Sequence, residues 1–260
     1  MKNLFLFLFL LVVFTSKAQD NRVSGLNSRQ FTKYWKVESE SPDYKVTFQG
    51  DTAEIVSPKG LTLWRKEKMS GKVTIEYDAC VVVESDGDRL SDLNCFWMAS
   101  DPQYPDNLWK REKWRSGIFL NCYSLQLYYL GYGGNHNSTT RFRRYDGDES
   151  GITNPKARPA ILKEYTDAGH LLKPNHWYHI KITNENNRVS YYIDGERLVD
   201  FRDAEPLREG WFGFRTTLSR TRITNFSYEC SSQEAAAVPL QWIGAVSYTH
   251  LRAHETCADL

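Results

Sequence analysis

Residues 125–145, with the sequence LQLYYLGYGGNHNSTTRFRRY, concentrate side chains that could bind or react with a polar ligand. Tyrosine and histidine can transfer protons, and asparagine can act both as a hydrogen-bond donor and as an acceptor. The planar guanidinium of arginine can bind a carboxylate through two parallel hydrogen bonds. The sequence therefore predicts a ligand-binding face in this segment.

The alternation of this segment predicts two neighbouring strands joined by a glycine-rich turn. In the first strand Gln126, Tyr128 and Tyr132 would project to the same side. In the second strand Arg141 and Arg143 would share one face. We expect the turn to place the strands side by side, with Tyr132 and Arg141 near each other.

These residue types meet the requirements of β-elimination on a uronic-acid polysaccharide. A cation or an amide must neutralise the substrate carboxylate so that the C5 proton becomes acidic, and a tyrosine or histidine must take that proton and return one to the leaving oxygen. The candidate catalytic residue is Tyr132 or Tyr128, acting as both base and acid, with His136 as a partner. Candidate substrate-binding side chains, of which the last three would clamp the carboxylate, are Gln126, Asn135, Arg141 and Arg143.

The same side chains have structural interpretations that remain open. Because Tyr128 and Tyr129 are adjacent in a strand, one of them must face the interior. His136 could simply stabilise its turn, and Arg141 and Arg143 could form a solvated strand edge. Parity along the strand does not decide which side is the interior.

Two further hypotheses compete with the lyase. The first is a non-catalytic carbohydrate-binding module that uses Trp97, Trp109 and Trp114 as stacking platforms, since an aromatic ring packs on the apolar face of a sugar. The second is a glycoside hydrolase with carboxylates from separate loops, such as Asp106 and Glu112. The carboxylate signature found on one strand of many such hydrolases, E-x-D-x-x-E, does not occur in the chain.

Composition excludes a global attraction to nucleic acid. The 33 Lys and Arg residues are balanced by 32 Asp and Glu residues, so any preference for anions has to be local. The 8 Trp and 15 Tyr residues exceed what a core of this size needs, and surplus aromatic rings often line sugar-binding surfaces. We expect a polysaccharide partner and no nucleic acid. The sequence does not determine an oligomeric state.

The first residues are typical of a secretory signal peptide at positions 1–18. Lys2 supplies the positive charge, residues 4–14 form an apolar run, and Ser16 and Ala18 are the small residues that a signal peptidase recognises. The apolar run is too short to favour a membrane span. We expect cleavage after Ala18, a periplasmic or extracellular location, and a flexible arm at residues 19–30.

Short runs rich in β-branched and aromatic residues recur along residues 34–229, separated by turn sequences such as Asp194-Gly195. No helical period of useful length interrupts them. This pattern predicts an all-β fold, an antiparallel β-sandwich that forms one domain over residues 31–230. Residues 117–123 are among the predicted strands, whereas the charged, proline-containing residues 101–115 predict a long loop.

No cofactor is indicated by the sequence, although a structural calcium ion is conceivable. Asp86, Asp88 and Asp92 could hold calcium, but their spacing matches no complete loop motif, and a solvated acidic turn is the alternative. No CxxC pair suggests zinc. Four cysteines within apolar runs are expected to be buried free thiols: Cys80, Cys95, Cys122 and Cys230.

Four segments resemble the DUF6250 family of exported bacterial domains: DLNCFWMASDP (92–102), YYLGYGGNHNSTTRFRRY (128–145), PNHWYHIKI (174–182) and GWFGFRTTLSRTRITNFSY (210–228). The last two, with VSYYIDGE between them, are similar to the closing strands of concanavalin-like, laminin-G-like jelly rolls. The resemblance covers about residues 31–229. It implies a jelly-roll sandwich, concanavalin A-like, and an association with polysaccharide degradation.

The end of the chain differs from the rest. VSYTHLRAHET, at residues 246–256, resembles translated sequencing-adapter sequence. We therefore interpret residues 231–260 as a doubtful tail, artefactual from about residue 246, and place no site residue there.

Overall fold

Antiparallel β-strands make up most of residues 22–231, the part of the chain that the computed structural model describes. The predicted signal peptide and the chain from residue 232 onwards lie outside the described residues. The all-β prediction is confirmed. The strands are β1 (Val23–Ser24), β2 (Trp35–Ser39), β3 (Lys45–Gln49), β4 (Thr52–Arg65), β5 (Met69–Ser70), β6 (Lys72–Val81), β7 (Leu93–Ser100), β8 (Gln126–Gly133), β9 (Thr139–Asp146), β10 (Lys163–Tyr165), β11 (Tyr178–Glu185), β12 (Arg188–Ile193), β13 (Glu196–Arg202) and β14 (Glu209–Ser231).

Helical segments are short and lie in the connections. Three α-helical turns of four residues each occur at Phe31–Tyr34, Glu112–Arg115 and Ser150–Thr153, and a left-handed turn occurs at Gly134–Asn137. The 3-10 segments are Leu108–Arg111, Leu120–Ser124, Pro155–Ala157 and Ala168–His170. Within residues 22–231, no helix has the length and apolar character needed to cross a membrane.

The sheet folds into two layers, and two long strands, β4 and β14, run through both of them. The first half of β14 pairs with β7, and its second half, after a register shift between Thr217 and Ser219, pairs with β6. Strand β4 follows β14 through both layers and pairs with β2 in one and β3 in the other. The front layer therefore has the order β10-β9-β8-β7-β14-β4-β2, and the back layer has the order β13-β12-β11-β6-β14-β4-β3.

The main core lies between the layers and is rich in aromatic rings. Trp97 packs against Tyr128 at 5.7 Å and against Tyr191 at 6.1 Å, measured between ring centroids. Tyr77 meets Phe214 edge to face at 4.9 Å. Since successive strand residues point to opposite sides, the alternate residues of the front layer point away from this core.

A second core covers part of the outer surface of the front layer, beneath the connection formed by residues 101–125. Trp64 stacks on Phe96 at 5.6 Å, and Tyr129 lies 5.8 Å from Tyr145. The front layer is thus apolar on both sides over part of its area, because a connection of this length can bury the outward-facing rings. The remainder of the outer surface is open.

Several local predictions can be compared with this structure. Residues 101–115 form the predicted long connection, and Asp194 and Gly195 both adopt positive φ, as a type I′ turn requires. The four cysteines within residues 22–231 are free thiols. The predicted strand at residues 117–123 is wrong: the segment contains a 3-10 turn, since its apolar residues pack onto the sheet instead of pairing with a neighbouring strand.

The expected flexible arm also has some structure. Its residues Val23 and Ser24 pair with Tyr228 and Ser227 of β14 as a short edge strand. The part of the arm that the structure describes is therefore attached to the sandwich.

Candidate functional site

A groove of about 610 Å³ lies on the open part of the outer surface of the front layer. We call it the arginine groove, after the five arginines that line it. Two carboxylates, those of Glu40 and Asp92, also reach it. The arginines are Arg89, Arg141, Arg143, Arg158 and Arg215.

Sheet register explains how distant parts of the chain meet in this groove. Arg215 of β14 is paired with Asn94 of β7, which is paired with Gly131 of β8, which is paired with Arg141 of β9. Pairing across Arg141 continues to Glu164 of β10. Residues directly opposite one another point to the same side, so these side chains form one row across the front layer.

Asp92 organises one end of the groove floor. Its Oδ2 accepts hydrogen bonds from Arg89 at 2.7 Å and from the Ser91 hydroxyl at 2.9 Å, and its Oδ1 accepts one from Asn94 at 3.2 Å. Asp92 adopts a left-handed backbone conformation with φ of 64°. A non-glycine residue in this region is uncommon and is held in place by its surroundings. The network therefore positions Arg89 and Asn94 rigidly.

Three of the five arginines have no carboxylate partner within residues 22–231. Arg141 is paired with Glu164 at 2.5 Å and Arg89 with Asp92, but the other three donate only to uncharged oxygens. Arg143 donates to the Pro159 carbonyl, Arg158 to the Gly151 carbonyl at 3.3 Å, and Arg215 to the Gly117 carbonyl and the Thr62 hydroxyl at 2.5 and 3.3 Å. Such a cluster gives the groove a positive potential that would attract an anion.

Tyr129 is the tyrosine of β8 that faces the arginine groove. It lies directly opposite Arg143 on β9 and packs against Phe119 with ring centroids 5.5 Å apart. Burial raises the pKa of its hydroxyl well above the ordinary value, and this exceeds the opposing effects of Arg215 and Arg143. The hydroxyl therefore stays protonated at neutral pH and acts as a hydrogen-bond donor.

Apolar side chains from two connections also line the groove. Phe119 and Leu120 come from the connection before β8, and Pro155, Pro159 and Ile161 come from the connection between β9 and β10. Arg215 lies over the ring of Phe119 at 5.6 Å. The groove therefore offers both charged or hydrogen-bonding groups and apolar surface, which suits a ligand with a polar edge and an apolar face.

Buried ion pairs hold the connection of residues 101–125 against the sheet. The fully buried Arg115 donates to both carboxylate oxygens of Glu38 at 3.0 and 3.3 Å, and Arg111 makes a two-point contact with Asp101 at 2.7 and 3.0 Å. Burial raises the pKa of Glu38 more than the charge of Arg115 lowers it. These pairs fix the segment that supplies Phe119 to the groove.

The structure contradicts the predicted position of Tyr128 and Tyr132. Both are buried between the layers: the Tyr128 hydroxyl donates to Asp203 at 2.6 Å, and the Tyr132 hydroxyl donates to the Leu171 carbonyl at 3.3 Å. The two tyrosines do share one side of the strand, as predicted. That side is the interior one. The register places Tyr129, not Tyr128, opposite Arg143, and Arg143 lines the groove on the outer surface.

The expected tryptophan platforms do not form a sugar-binding surface in the groove. Trp97 is buried in the main core, where it packs against Tyr128 and Phe142. Trp109 packs against Trp211 at 6.1 Å, and the exposed Trp114 lies under Arg111 at 4.9 Å. Gln126, another predicted binding residue, also lies outside the groove lining.

Four predicted residues do lie together in the groove: Asn135, His136, Arg141 and Arg143. Asn135 and His136 are exposed and both adopt left-handed conformations, with φ of 51° and 58°. The Asn135 amide donates to the Thr139 hydroxyl at 3.2 Å. Their place in the groove agrees with the predicted binding face, and their functional roles stay predictions.

Sequence reasoning missed Asn94, Tyr129 and Arg215. Arg215 and Asn94 lie on strands distant in sequence from β8, and only the sheet register brings them to Gly131. Strand alternation gave partial information about Tyr129. It requires Tyr128 and Tyr129 to face opposite sides of the strand, but it does not show which of them faces the groove.

No cluster of three or more histidine, cysteine or acidic residues that could hold a metal ion occurs between residues 22 and 231. Asp88 accepts the backbone N–H groups of Glu84 and Ser85, which lowers its pKa and stabilises the turn. Asp92 is paired with Arg89. Two of the three candidate calcium ligands, Asp88 and Asp92, are therefore used in other contacts.

Solved structures share this fold at low sequence identity. A Bacillus subtilis protein of unknown function with a galectin-like fold superposes with a TM-score of 0.64 at 16% identity, covering 82% of this chain and 96% of its own. The carbohydrate-binding module CBM66 from Bacillus subtilis has a TM-score of 0.50 at 17% identity, covering 75% of this chain and 94% of its own. The exoplasmic/lumenal domain of VIP36, in a form bound to Ca²⁺ and Man3GlcNAc, has a TM-score of 0.54 at 9% identity, covering 84% of this chain and 92% of its own.

These similarities establish the sandwich of galectin-like and lectin-like domains as the fold. No curated protein sequence matches the chain significantly. A family model, in contrast, matches residues 55–226, which include every strand segment that lines the arginine groove: those of β7, β8, β9 and β14. The chain therefore belongs to the DUF6250 family, a domain of unknown function.

Proposed function

We propose that the protein is a carbohydrate-binding module that holds an acidic polysaccharide in the arginine groove. The observation that carries this proposal is the presence of Arg143, Arg158 and Arg215 in one groove without carboxylate partners within the described residues. Arginine binds carboxylates through two parallel hydrogen bonds, and a sugar acid carries such a group.

The shape of the groove supports a sugar ligand over a simple anion. A pyranose ring has an apolar face and a rim of hydroxyl groups, which matches the apolar wall around Phe119 and the polar row from Arg215 to Arg141. A groove open along the front layer can take a chain as well as a single sugar. The names of structural neighbours, among them a carbohydrate-binding module and a mannoside-bound lumenal domain, point to the same ligand class.

Cleavage of the acidic glycan by β-elimination is the second candidate. Tyr129 would replace Tyr128 and Tyr132 as the proton-transfer residue, because its hydroxyl lies in the groove beside Arg143. His136 lines the same groove. The raised pKa of Tyr129 disfavours the tyrosinate that a base would need, since burial destabilises the charged form. Binding without turnover therefore agrees better with the geometry.

The place of action follows from the N-terminal segment. A signal peptide at residues 1–18 would direct the protein to the periplasm or the extracellular space, where polysaccharides are available. Secretion tests of the full chain, with the amino terminus of the exported form determined, would check cleavage after Ala18.

A binding panel tests the function. The protein would be titrated calorimetrically with polygalacturonate, alginate and hyaluronan, and with methyl-esterified pectin and galactan as neutral controls. We expect binding to at least one acidic polymer, weakened by salt and by esterification. Equal affinity for neutral and acidic polymers would contradict the proposal. Ultraviolet absorbance from unsaturated uronate, followed in the same samples, would show instead that the protein is a lyase.

A further inference from the structure

The floor of the arginine groove contains a buried polar atom that the described chain does not satisfy. Asn94 is 6% exposed, and its Nδ2 donates to Asp92 Oδ1 at 3.2 Å. Because a carboxylate accepts hydrogen bonds, this contact fixes the orientation of the amide and directs Oδ1 away from Asp92. Asn94 Oδ1 has no hydrogen-bond partner among residues 22–231. A buried acceptor without a partner costs about 1–3 kcal/mol, which a donating ligand would recover.

A second group without a partner among the described residues, the Tyr129 hydroxyl, lies over the neighbouring strand. The hydroxyl of Tyr129 makes no hydrogen bond to any described residue, although burial keeps it protonated. A Cβ atom added at Gly131 would lie 2.3 Å from Tyr129 Oη, so the hydroxyl lies directly over this glycine. Gly131 is in turn the residue paired with Asn94 across β7 and β8. The absence of a side chain at Gly131 is what leaves room for the Tyr129 hydroxyl.

Strand spacing sets the distance that a ligand group would have to bridge. Neighbouring strands lie about 4.7–4.9 Å apart. A hydroxyl oxygen can hydrogen-bond to two groups at about 2.8 Å each, accepting from one and donating to the other. One ligand hydroxyl above Gly131 can therefore accept from Tyr129 and donate to Asn94 Oδ1.

We propose that Asn94, Tyr129 and Gly131 form a subsite that recognises one free hydroxyl group on a sugar ring of the bound acidic polysaccharide. The inference rests on the proposed function and narrows its ligand class. The ring carboxylate, or that of the next sugar, would lie toward Arg143, opposite Tyr129, and Arg215, opposite Asn94. An O-acetyl or O-methyl group at this hydroxyl would remove the proton that Asn94 needs. The ligand is thus an acidic polymer that is unsubstituted at the recognised hydroxyl.

Three variants test the subsite against the polymer of the panel that the wild type binds most tightly, among polygalacturonate, alginate and hyaluronan. Tyr129→Phe removes only the hydroxyl and should weaken binding about fivefold to tenfold, the usual loss of one hydrogen bond. Gly131→Ala should cause a similar loss by displacing that hydroxyl. Combined with Tyr129→Phe, Gly131→Ala should weaken binding less than twofold further, because both act on the same contact. Asn94→Ala should likewise be non-additive with Tyr129→Phe.

The matched control is Tyr128→Phe, one residue away on the interior side of β8. It should leave affinity unchanged, and thermal unfolding of every variant separates binding from folding. Acetylation of the polymer provides a second readout and should reduce wild-type binding more than binding by the Tyr129→Phe variant.

The outcomes distinguish the subsite from the general function. If the wild type binds an acidic polymer, while Tyr129→Phe and Gly131→Ala retain its affinity, the subsite inference is wrong and the proposed function stands. Additive losses of affinity in the combined variants would also contradict the inference that the three residues recognise the same ligand hydroxyl. If the wild type binds none of the acidic polymers, the proposed function itself fails.

Discussion

The outer surface of the front layer has two halves that use arginine differently. In the covered half, beneath residues 101–125, Arg115 is paired with the buried carboxylate of Glu38 and Arg111 with that of Asp101. In the open half, the arginine groove, Arg143, Arg158 and Arg215 have no carboxylate partner within the described chain.

This difference separates structural charges from charges that are free to bind a ligand. The carboxylate of Glu38 offsets the cost of burying Arg115, since removing a charge from water without a partner costs several kcal/mol. At the open groove, Arg143 is half-buried and Arg158 is exposed, so both can keep contact with water. Arg215 is buried, and it donates to the Gly117 carbonyl and the Thr62 hydroxyl instead of to a carboxylate. Pairing with a carboxylate, and not residue type, is therefore what distinguishes the two halves.

The largest expected effect is on folding, in the covered half. Glu38→Ala leaves the fully buried Arg115 without its carboxylate and should reduce the free energy of unfolding by about 3–5 kcal/mol, measured by urea denaturation. Glu164→Ala, which removes the exposed partner of Arg141 in the open half, is the control and should cost less than about 1 kcal/mol. Equal costs would mean that the two halves do not differ as described.

The next effect is on binding, in the open half. Arg143→Ala should weaken binding of the acidic polymer about tenfold or more, the contribution of a charged hydrogen bond, and should reduce its salt dependence. Its free energy of unfolding should change little because Arg143 has no carboxylate partner. Arg143→Lys should restore part of the affinity, as a point charge replaces a two-point contact. A large loss of stability would show a structural role instead.

Two adjacent tyrosines of β8 allow the interior and outer faces of a single strand to be compared. Tyr128→Phe removes a hydroxyl that donates to Asp203 at 2.6 Å and accepts from the Leu207 N–H at 3.1 Å, and should destabilise the fold by about 1–3 kcal/mol. Tyr129→Phe should leave stability unchanged, since its hydroxyl has no partner among residues 22–231. Thermal and urea unfolding of both variants would check this order of stabilities. A larger loss of stability for Tyr129→Phe than for Tyr128→Phe would mean that the hydroxyl of Tyr129, and not that of Tyr128, stabilises the fold.

A smaller gain is expected where a carboxylate masks a groove arginine. Glu164→Ala frees Arg141 from its ion pair and should strengthen binding of the acidic polymer by up to about fivefold, the range of an exposed pair. Calorimetric titration at low ionic strength would reveal the gain. Weaker binding would indicate that Glu164 contacts the ligand itself.

The smallest expected effect is that of pH. Burial raises the pKa of Tyr129 above its ordinary value near 10, so the hydroxyl remains protonated and able to donate from pH 7 to pH 9. The raised pKa means that loss of the proton, and of the hydrogen bond, occurs only above this range. Affinity should therefore be constant between pH 7 and pH 9. Uronate release that rises with pH in this interval would favour a tyrosinate base and the lyase hypothesis.

Local sequence patterns determined much of the fold. Alternation predicted β8 and β9, the Asp194-Gly195 pair predicted a type I′ turn, and proline with dense charge predicted the connection at residues 101–115. These predictions succeeded because each depends on the geometry of a few neighbouring residues. The pattern at residues 117–123 failed, since apolar residues that pack against a sheet from a loop resemble those of a strand.

Only the tertiary structure decided which face of β8 borders the arginine groove. The sequence determined that Tyr128 and Tyr132 share one side and Tyr129 the other, because the strand period is two residues. Both sides are buried, one between the layers and one at the edge of the covered half, so hydrophobicity could not identify the groove. The choice follows from register with β7, β9 and β14, which brings Asn94, Arg143 and Arg215 to Gly131 and Tyr129. Register is set by packing across the whole sandwich, which no single segment contains.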